Sequence, residues 1–397
     1  MGDIVLGLGG TVDYEIRWDS SVLESLVREY GIQRDELSTT ITIADERALA
    51  VVVLAFLAAG AGGERFVESS AIVEQFAARF PTAVTLGGTG VRAGIVLDRL
   101  GIPSVQHLVS IDDNVRRLLP TSTRYISSAT RDTLDPHLIV QYAAGTRVWV
   151  GDEELVAPHA NRVIFANDPP NRDMVLSDEL PAALEQADVF LISGFNTMTD
   201  ANALERRLDV LVRALTSLPS HALVFYEEAG FYIRDFARIA RERLMPWIDV
   251  YSMNEDELQE TLGHEIDLLE PMSVIAALRA AHATVPEAVL VVHTKYWAIA
   301  VGADSSRYRE ALASAVRISA TRYRLGDGLT AADVAATATL PTHPGGAAVV
   351  TRVEHELPAV GVSAHLIDAE KPTTIGLGDS FVGGFLAALP RGRPMML

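Results

Sequence analysis

Short apolar runs alternating with helix-periodic stretches leave this chain few folds. Val163–Ala166, Val189–Ser193, Ala222–Tyr226, Asp249–Ser252 and Ala288–His293 read as buried strands, with helical periodicity in Ala201–Leu215 and Ile233–Arg243 between them. The same rhythm opens the chain. Ile4–Leu6 runs into the glycines of Gly7-Leu8-Gly9-Gly10, and Ser21–Tyr30 and Asp45–Ala59 are helical. Thr82–Leu86 is a further strand that stops at Gly87-Gly88; a helix over Val91–Leu100 follows, then a strand over Pro103–Ser110. Such alternation predicts an α/β fold with a mostly parallel central sheet flanked by helices. In such sheets ligands sit beyond the carboxyl ends of the strands. From Asp113 to Pro158 polar and β-prone residues mix with turns, which reads as a β-rich insertion.

Composition removes several functions. With 49% hydrophobic residues the chain can bury a large core, and with no cysteine it has neither disulfides nor thiolate metal sites. A net charge of −19 argues against nucleic acid as a partner. The apolar stretch Ala48–Gly63 falls short of the roughly 20 residues of a membrane span and ends in glycines, so it reads as a buried helix rather than a membrane contact. The start, Met1–Val5, has no basic region and no h-region, and a cytoplasmic location is expected. Oligomeric state is not written in the sequence.

The segment with the most chemistry runs from Thr374 to Phe385. In it Gly376-Leu377-Gly378-Asp379 precedes a run of small apolar residues that reads as a helix. A helix start offers unpaired backbone N–H groups and positive dipole charge, and glycine lets an anion approach them. Asp379 would repel a phosphate, but it makes sense as the acceptor of a proton from a hydroxyl attacking that phosphate. Other polar residues stand where strands end: Asp13, Gly194 and Asn196, Glu227 and Glu228, Asn254 and Glu257, His293 and Thr294. Parallel strands would gather them on one rim, though each also suits an ordinary cap or turn. Asn254-x-x-Glu257 is either a capping box or a pair able to hold Mg²⁺ through water. Gly87-Gly88-Thr89-Gly90 opens a helix, as a plain turn or as a seat for a hydroxyl or phosphate. Gly7-x-Gly9 lacks the third glycine of a dinucleotide fingerprint, because Val12 occupies it. There is no Walker A segment, so phosphoryl transfer here would not use a P-loop.

These residues resemble the ribokinase-like kinases and, within them, the ADP-dependent glucokinases and phosphofructokinases, over most of the chain. Gly376, Gly378 and Asp379 resemble the superfamily's anion hole and catalytic base, with Leu377 on the nucleotide side, and Asn254-x-x-Glu257 its Mg²⁺-associated motif. Val224-Phe225-Tyr226-Glu227-Glu228-Ala229 resembles the His-x-Glu strand end of the ADP-dependent branch, and His293-Thr294 its nucleotide side. Asn161, Arg162, Gly194 and Asn196 also fit this branch, and Asp13, Gly87 and Gly88 stand where the family binds its sugar. Phe225 replaces the family's histidine, and the asparagines usual before the aspartate are missing ahead of Asp13.

The resemblance implies a ribokinase-like large domain of residues 1–12, 46–112 and 159–397 with a smaller, discontinuous, β-containing lid of 13–45 and 113–158, and a sugar kinase that takes a phosphoryl group from ADP. Its cofactor is Mg²⁺, held by Glu227 and Glu257; its acceptor is a hexose or a hexose phosphate. A phosphate-bearing acceptor calls for arginines in the cleft, and Arg92, Arg162 and Arg172 are the candidates. Transfer from ATP to a carbohydrate or nucleoside, or a catalytically weak binding relative, stays open as an alternative.

Overall fold

The computed structural model describes residues 2–369 and 375–389; Thr374, the first residue of the glycine-rich segment, lies outside them. In chain order the strands are β1 Asp3–Leu6, β2 Thr11–Ile16, β3 Gly63–Phe66, β4 Thr82–Gly87, β5 Ser104–Leu108, β6 Thr123–Ser127, β7 His137–Tyr142 and β8 Arg147–Val150. They continue as β9 Glu153–Val156, β10 Asn161–Ala166, β11 Ala187–Ile192, β12 Leu223–Glu227, β13 Val250–Asn254, β14 Val289–His293, β15 Trp297–Val301 and β16 Ala359–Ser363.

Nine of them form one sheet in the order β16-β15-β14-β13-β12-β11-β1-β5-β6. All neighbours from β14 to β6 pair in parallel; β15 and β16 add antiparallel strands at one edge. Parallel strands buried on both faces read as near-continuous apolar runs, which is why β11, β12 and β14 are legible in the sequence. No helix of the described residues is long and apolar enough to cross a membrane.

A second sheet, β3-β10-β7-β2-β4, stands on the carboxyl rim of the first, since the chain leaves β1 at Leu6 and is already in β2 at Thr11. Its core is separate and takes in the helix Glu46–Ala59, in which no residue from Leu49 to Leu57 is more than 7% exposed. Each of its larger apolar side chains contributes about 1.5–3 kcal/mol when fully buried.

The two sheets divide the chain differently from the expectation above. β3, β4 and β10 and the helix Glu46–Ala59, expected in the large domain, belong to the second sheet and its core, whereas β6, expected in the lid, closes one edge of the large sheet. The reason is physical: an apolar run announces burial, not the sheet that will cover it. β8 and β9 form a separate two-stranded hairpin inside the expected insertion.

Candidate active site

A cavity of about 220 Å³ lies between the rim of the large sheet and the second sheet. It is lined by eight of the residues singled out from the sequence as its candidates: Asp13, Gly88, Arg92, Arg162, Gly194, Asn196, Gly376 and Asp379. Asp13 is not in the turn after β1 but inside β2, where its side chain is buried. It accepts hydrogen bonds from Thr11 Oγ1 at 2.7 Å and from Arg92 Nη2 at 3.0 Å. Gly87 stands directly behind it: a β-carbon there would fall 2.4 Å from Asp13 Oδ2, so glycine is needed for the acid to sit where it does.

Asp379 lies in the first turn of the helix Leu377–Ala387, facing the cavity, with 24% of its side chain exposed. Gly376 caps that helix with φ +64°, a backbone shape that glycine adopts freely. The first-turn N–H groups at 377–379 have no acceptor within the helix, as at any helix start. The loop is pinned from behind. Arg322 Nη1 donates to the Ile375 carbonyl, Ser380 Oγ to Gly376 O at 2.8 Å and Ser319 Oγ to Leu377 O at 3.1 Å.

A second group of candidates gathers just outside the cavity, at the ends of β12, β13 and β14. His293 Nε2 meets Glu227 Oε1 at 3.1 Å, and the His293 ring stacks on Phe381 of the Leu377–Ala387 helix with centroids 4.3 Å apart. The other Glu227 oxygen, Oε2, is buried without a hydrogen-bond partner among the described residues, as is Glu228 Oε2. Glu257 Oε2 accepts from Asn254 N at 2.8 Å, while Asn254 Oδ1 accepts from Asp256 N and Glu257 N. The capping box expected as one reading of this motif is therefore present. Burial, and then the repulsion of Glu227, raises Glu257 well above the ordinary carboxylate value. Burial also pushes Glu228 up to about 8; the attraction of Arg241 opposes this and the repulsion of Glu227 adds to it.

Gly378 faces His293, with 3.6 Å between a β-carbon placed on it and His293 Cε1, so one helix start serves both groups. The loss of histidine at Phe225 has a counterpart here. Phe225 packs on Phe385, while Glu227, two residues on, meets a histidine contributed by β14 instead.

Other candidates lie elsewhere. Asn161 is exposed, at the start of β10, where its Nδ2 donates to Gly60 O at 3.1 Å. Thr294 closes the β14–β15 turn, its Oγ1 accepting from Tyr296 N and Trp297 N. Arg172 does not line the cavity. Conversely, Glu64, His137, Asn171 and Tyr232 line it without having been singled out. Asp168-Pro169-Pro170-Asn171 did carry a signal, an aspartate cap followed by prolines at a helix start. Asn171 Nδ2 there donates to Gly10 O at 2.9 Å, which fixes the turn between the two sheets. Tyr232, beyond β12, also spans them: its hydroxyl donates to Glu64 Oε2 at 2.6 Å and its ring meets Phe66 at 4.7 Å.

Comparison with known proteins places the chain in a family. A family model described as the ADP-specific phosphofructokinase/glucokinase conserved region matches residues 2–387. The chain belongs to that family. Bovine (Bos taurus) ADP-dependent glucokinase is 27% identical over 212 residues, which are 51% of this chain and 42% of the bovine protein, so the match spans less than half of that relative's length. Among solved structures, a hypothetical ADP-dependent phosphofructokinase from Pyrococcus horikoshii OT3 superposes with a TM-score of 0.77 at 17% identity, covering 98% of this chain and 97% of that one. An ADP-dependent kinase in complex with fructose 6-phosphate and ADPβS gives a TM-score of 0.70 at 13% identity, with 98% and 93% covered. At such identities these likenesses speak for the ribokinase-like fold of this ADP-dependent branch.

Proposed function

We propose that the protein transfers the β-phosphoryl group of ADP to a hydroxyl of a hexose or hexose phosphate, with Asp379 as general base. The observation that carries this reading is the position of Asp379: at a glycine-capped helix start, open to the cavity, across from the buried Asp13. Its carboxylate makes no hydrogen bond among the described residues, so both oxygens remain available to accept a proton. The sugar oxygen forms a bond to the β-phosphorus as the bond from that phosphorus to the bridging oxygen breaks. AMP departs and the hydroxyl proton passes to Asp379. The N–H groups at 376–379 meet the charge on the transferring group; Asp13, Asn196 and the backbone at Gly88 and Gly194 orient the acceptor. Transfer of this kind gains mostly from positioning and charge stabilisation.

Glu227 and Glu257 are suited to hold Mg²⁺. Glu227 Oε2 is buried without a hydrogen-bond partner among the described residues, and burial holds Glu257 against its charged form. Mg²⁺ usually keeps several waters and is held by one or two carboxylates together with substrate phosphates. When bound, Mg²⁺ neutralises charge on the nucleotide phosphates.

Among the three candidate arginines, Arg92 is taken by Asp13, Arg172 lies outside, and Arg162 lines the cavity with no ion pair among the described residues. With Asp13 and Glu64 also lining it, the balance favours a neutral hexose. The test is a matrix of ADP and ATP against D-glucose and fructose 6-phosphate. ADP with glucose is expected to give the highest kcat/KM; fructose 6-phosphate as the better acceptor would assign Arg162 to its phosphate. Asp379→Asn is expected to lower kcat about 10²–10⁴-fold with sugar affinity nearly unchanged. Near-normal kcat in that variant would refute the role of Asp379.

A further inference from the structure

Arg92 sits in the cavity wall between the two halves of the proposed reaction. It comes from the helix Thr89–Arg99, which starts at Gly88, and its side chain is 6% exposed. Three carboxylates surround it: Asp13 Oδ2 at 3.0 Å and Glu15 Oε1 at 3.7 Å, both from Nη2, and Asp379 Oδ2 at 3.8 Å from Nε. Asp13 and Glu15 belong to the second sheet, Asp379 to the head of a helix on the large one. The loop that carries the base is shaped around the arginine. A β-carbon on Gly376 would lie 2.7 Å from Arg92 Cδ, so only glycine lets the chain pass over this side chain.

We infer that Arg92 is a positioning residue for phosphoryl transfer, holding the sugar-side carboxylate Asp13 and the base Asp379 in one charged cluster and so fixing the acceptor's distance from the base. Asp13 and Asp379 are like charges facing one cavity. Without a cation between them they repel, and the second sheet and the base loop lose their common anchor. The contact to Asp379 is an attraction without a hydrogen bond, which orients the carboxylate while leaving its oxygens free. The contact to Asp13 is a true hydrogen bond and fixes the sheet. Burial works against the charge of Arg92, but Asp13 and then Asp379 hold the guanidinium above its ordinary value. A planar fork spanning acids on different elements is a task for arginine rather than lysine.

The inference rests on Asp379 as base, and the experiment separates the two. Arg92→Met, Arg92→Lys and Arg92→Ala are assayed with ADP and whichever of D-glucose and fructose 6-phosphate the unaltered protein turns over, alongside Asp379→Asn; ADP affinity is measured by calorimetry. Arg92→Met is expected to lower kcat about 10²-fold, the scale of a displacement of about 1 Å, and to raise the sugar KM. ADP affinity should stay within about twofold. Arg92→Lys should fall between, and free guanidinium should restore about tenfold or more to Arg92→Ala and nothing to Asp379→Asn. Arg92→Met with kcat and sugar KM within about twofold of normal would overturn the inference, and so would equal losses for sugar and ADP, which mark a merely structural residue. If Arg92→Met does not fold, Arg92→Lys decides: a kcat loss at normal ADP affinity supports the role, and full activity removes it. Near-normal turnover by Asp379→Asn would sink the base assignment instead, while leaving the effect of Arg92 on sugar KM to be read on its own.

Discussion

The two halves of the rim, one proposed to hold the acceptor and the other the donor, meet the same electrostatic problem in opposite ways. On the acceptor half, buried Asp13 is matched by buried Arg92 at 3.0 Å. On the donor half, Glu227, Glu228 and Glu257 are buried at the ends of β12 and β13, and no arginine or lysine lies within ion-pair distance of any of them among the described residues. Glu227 has only His293, which is charged only if protonated. Burial lifts Glu228 and Glu257 above ordinary carboxylate values, and at Glu228 the attraction of Arg241, outside ion-pair distance, does not offset it. The acceptor half thus carries its counter-charge in the chain. The donor half leaves room for a counter-ion that comes with the nucleotide, as the proposed Mg²⁺ would, at a standing cost to the empty protein.

The comparison breaks first if Asp13→Asn is harmless. That change takes from a buried guanidinium the one carboxylate hydrogen-bonded to it and leaves it Glu15 and Asp379 at 3.7 and 3.8 Å; removing one partner of a buried pair costs about 3–5 kcal/mol, and the two remaining acids set the cost toward the lower end. A Tm equal to wild type would mean that Glu15 and Asp379 suffice for Arg92 and that Asp13 is not its matched partner. The donor half should respond with the opposite sign. Glu228 has a folded pKa of about 8, above the ordinary 4.5. The folded state therefore binds this proton more tightly than the unfolded chain does. The penalty is absent below pH 4.5, grows as pH rises, and is complete above about 8. Glu228→Gln should gain about 2–4 kcal/mol at pH 9 in EDTA and close to nothing at pH 4.5, read as Tm across that range. A loss at pH 9 would show that the donor half is compensated after all.

Much of this contrast was legible in the sequence, and some could not be. β11, β12, β13 and β14 are apolar runs that end in polar residues, so the rim and its acids followed from parallel pairing alone. Gly376, Gly378 and Asp379 were readable because a glycine-rich helix start has few structural substitutes. Arg92 was visible as an arginine but not as a partner of Asp13, because 79 residues separate them and only the β2–β4 pairing brings their elements together. Glu64 lies on the short strand β3, with no apolar alternation to mark it. The allocation of helix Glu46–Ala59 to the second sheet was equally hidden, since a helix apolar on nearly every side carries no direction.

His107 sharpens the acceptor side further. It is fully buried on β5 and keeps neutral instead of finding an acid: Nε2 accepts from Ser177 N at 2.9 Å, and burial pushes its pKa down to about 4. A depressed folded value means that stability is intact above the ordinary 6.5 and is lost as pH falls from there toward 4, by about 3 kcal/mol in all. His107→Gln keeps an acceptor for Ser177 and should flatten the fall in Tm over that window, whatever it costs at neutral pH. An unchanged slope would place the acid sensitivity in other groups.

The smallest expected effect lies at Asn254, where cap and chemistry coincide. Its Oδ1 takes two backbone N–H groups, so Asn254→Ala should cost about 1 kcal/mol of stability, as any lost cap does. Asn254→Asp is the more telling change, because aspartate caps a helix as well as asparagine does but sets a further negative charge beside Glu257. If the donor half is short of positive charge, this variant should be less stable than wild type in EDTA, and addition of Mg²⁺ with ADP should recover more stability for it than for wild type. On the acceptor half the same added charge would meet Arg92. An Asn254→Asp protein with wild-type Tm in EDTA and no extra gain from Mg²⁺ and ADP would mean that the buried glutamates already have their compensation, and the contrast between the two halves would be one of distance alone.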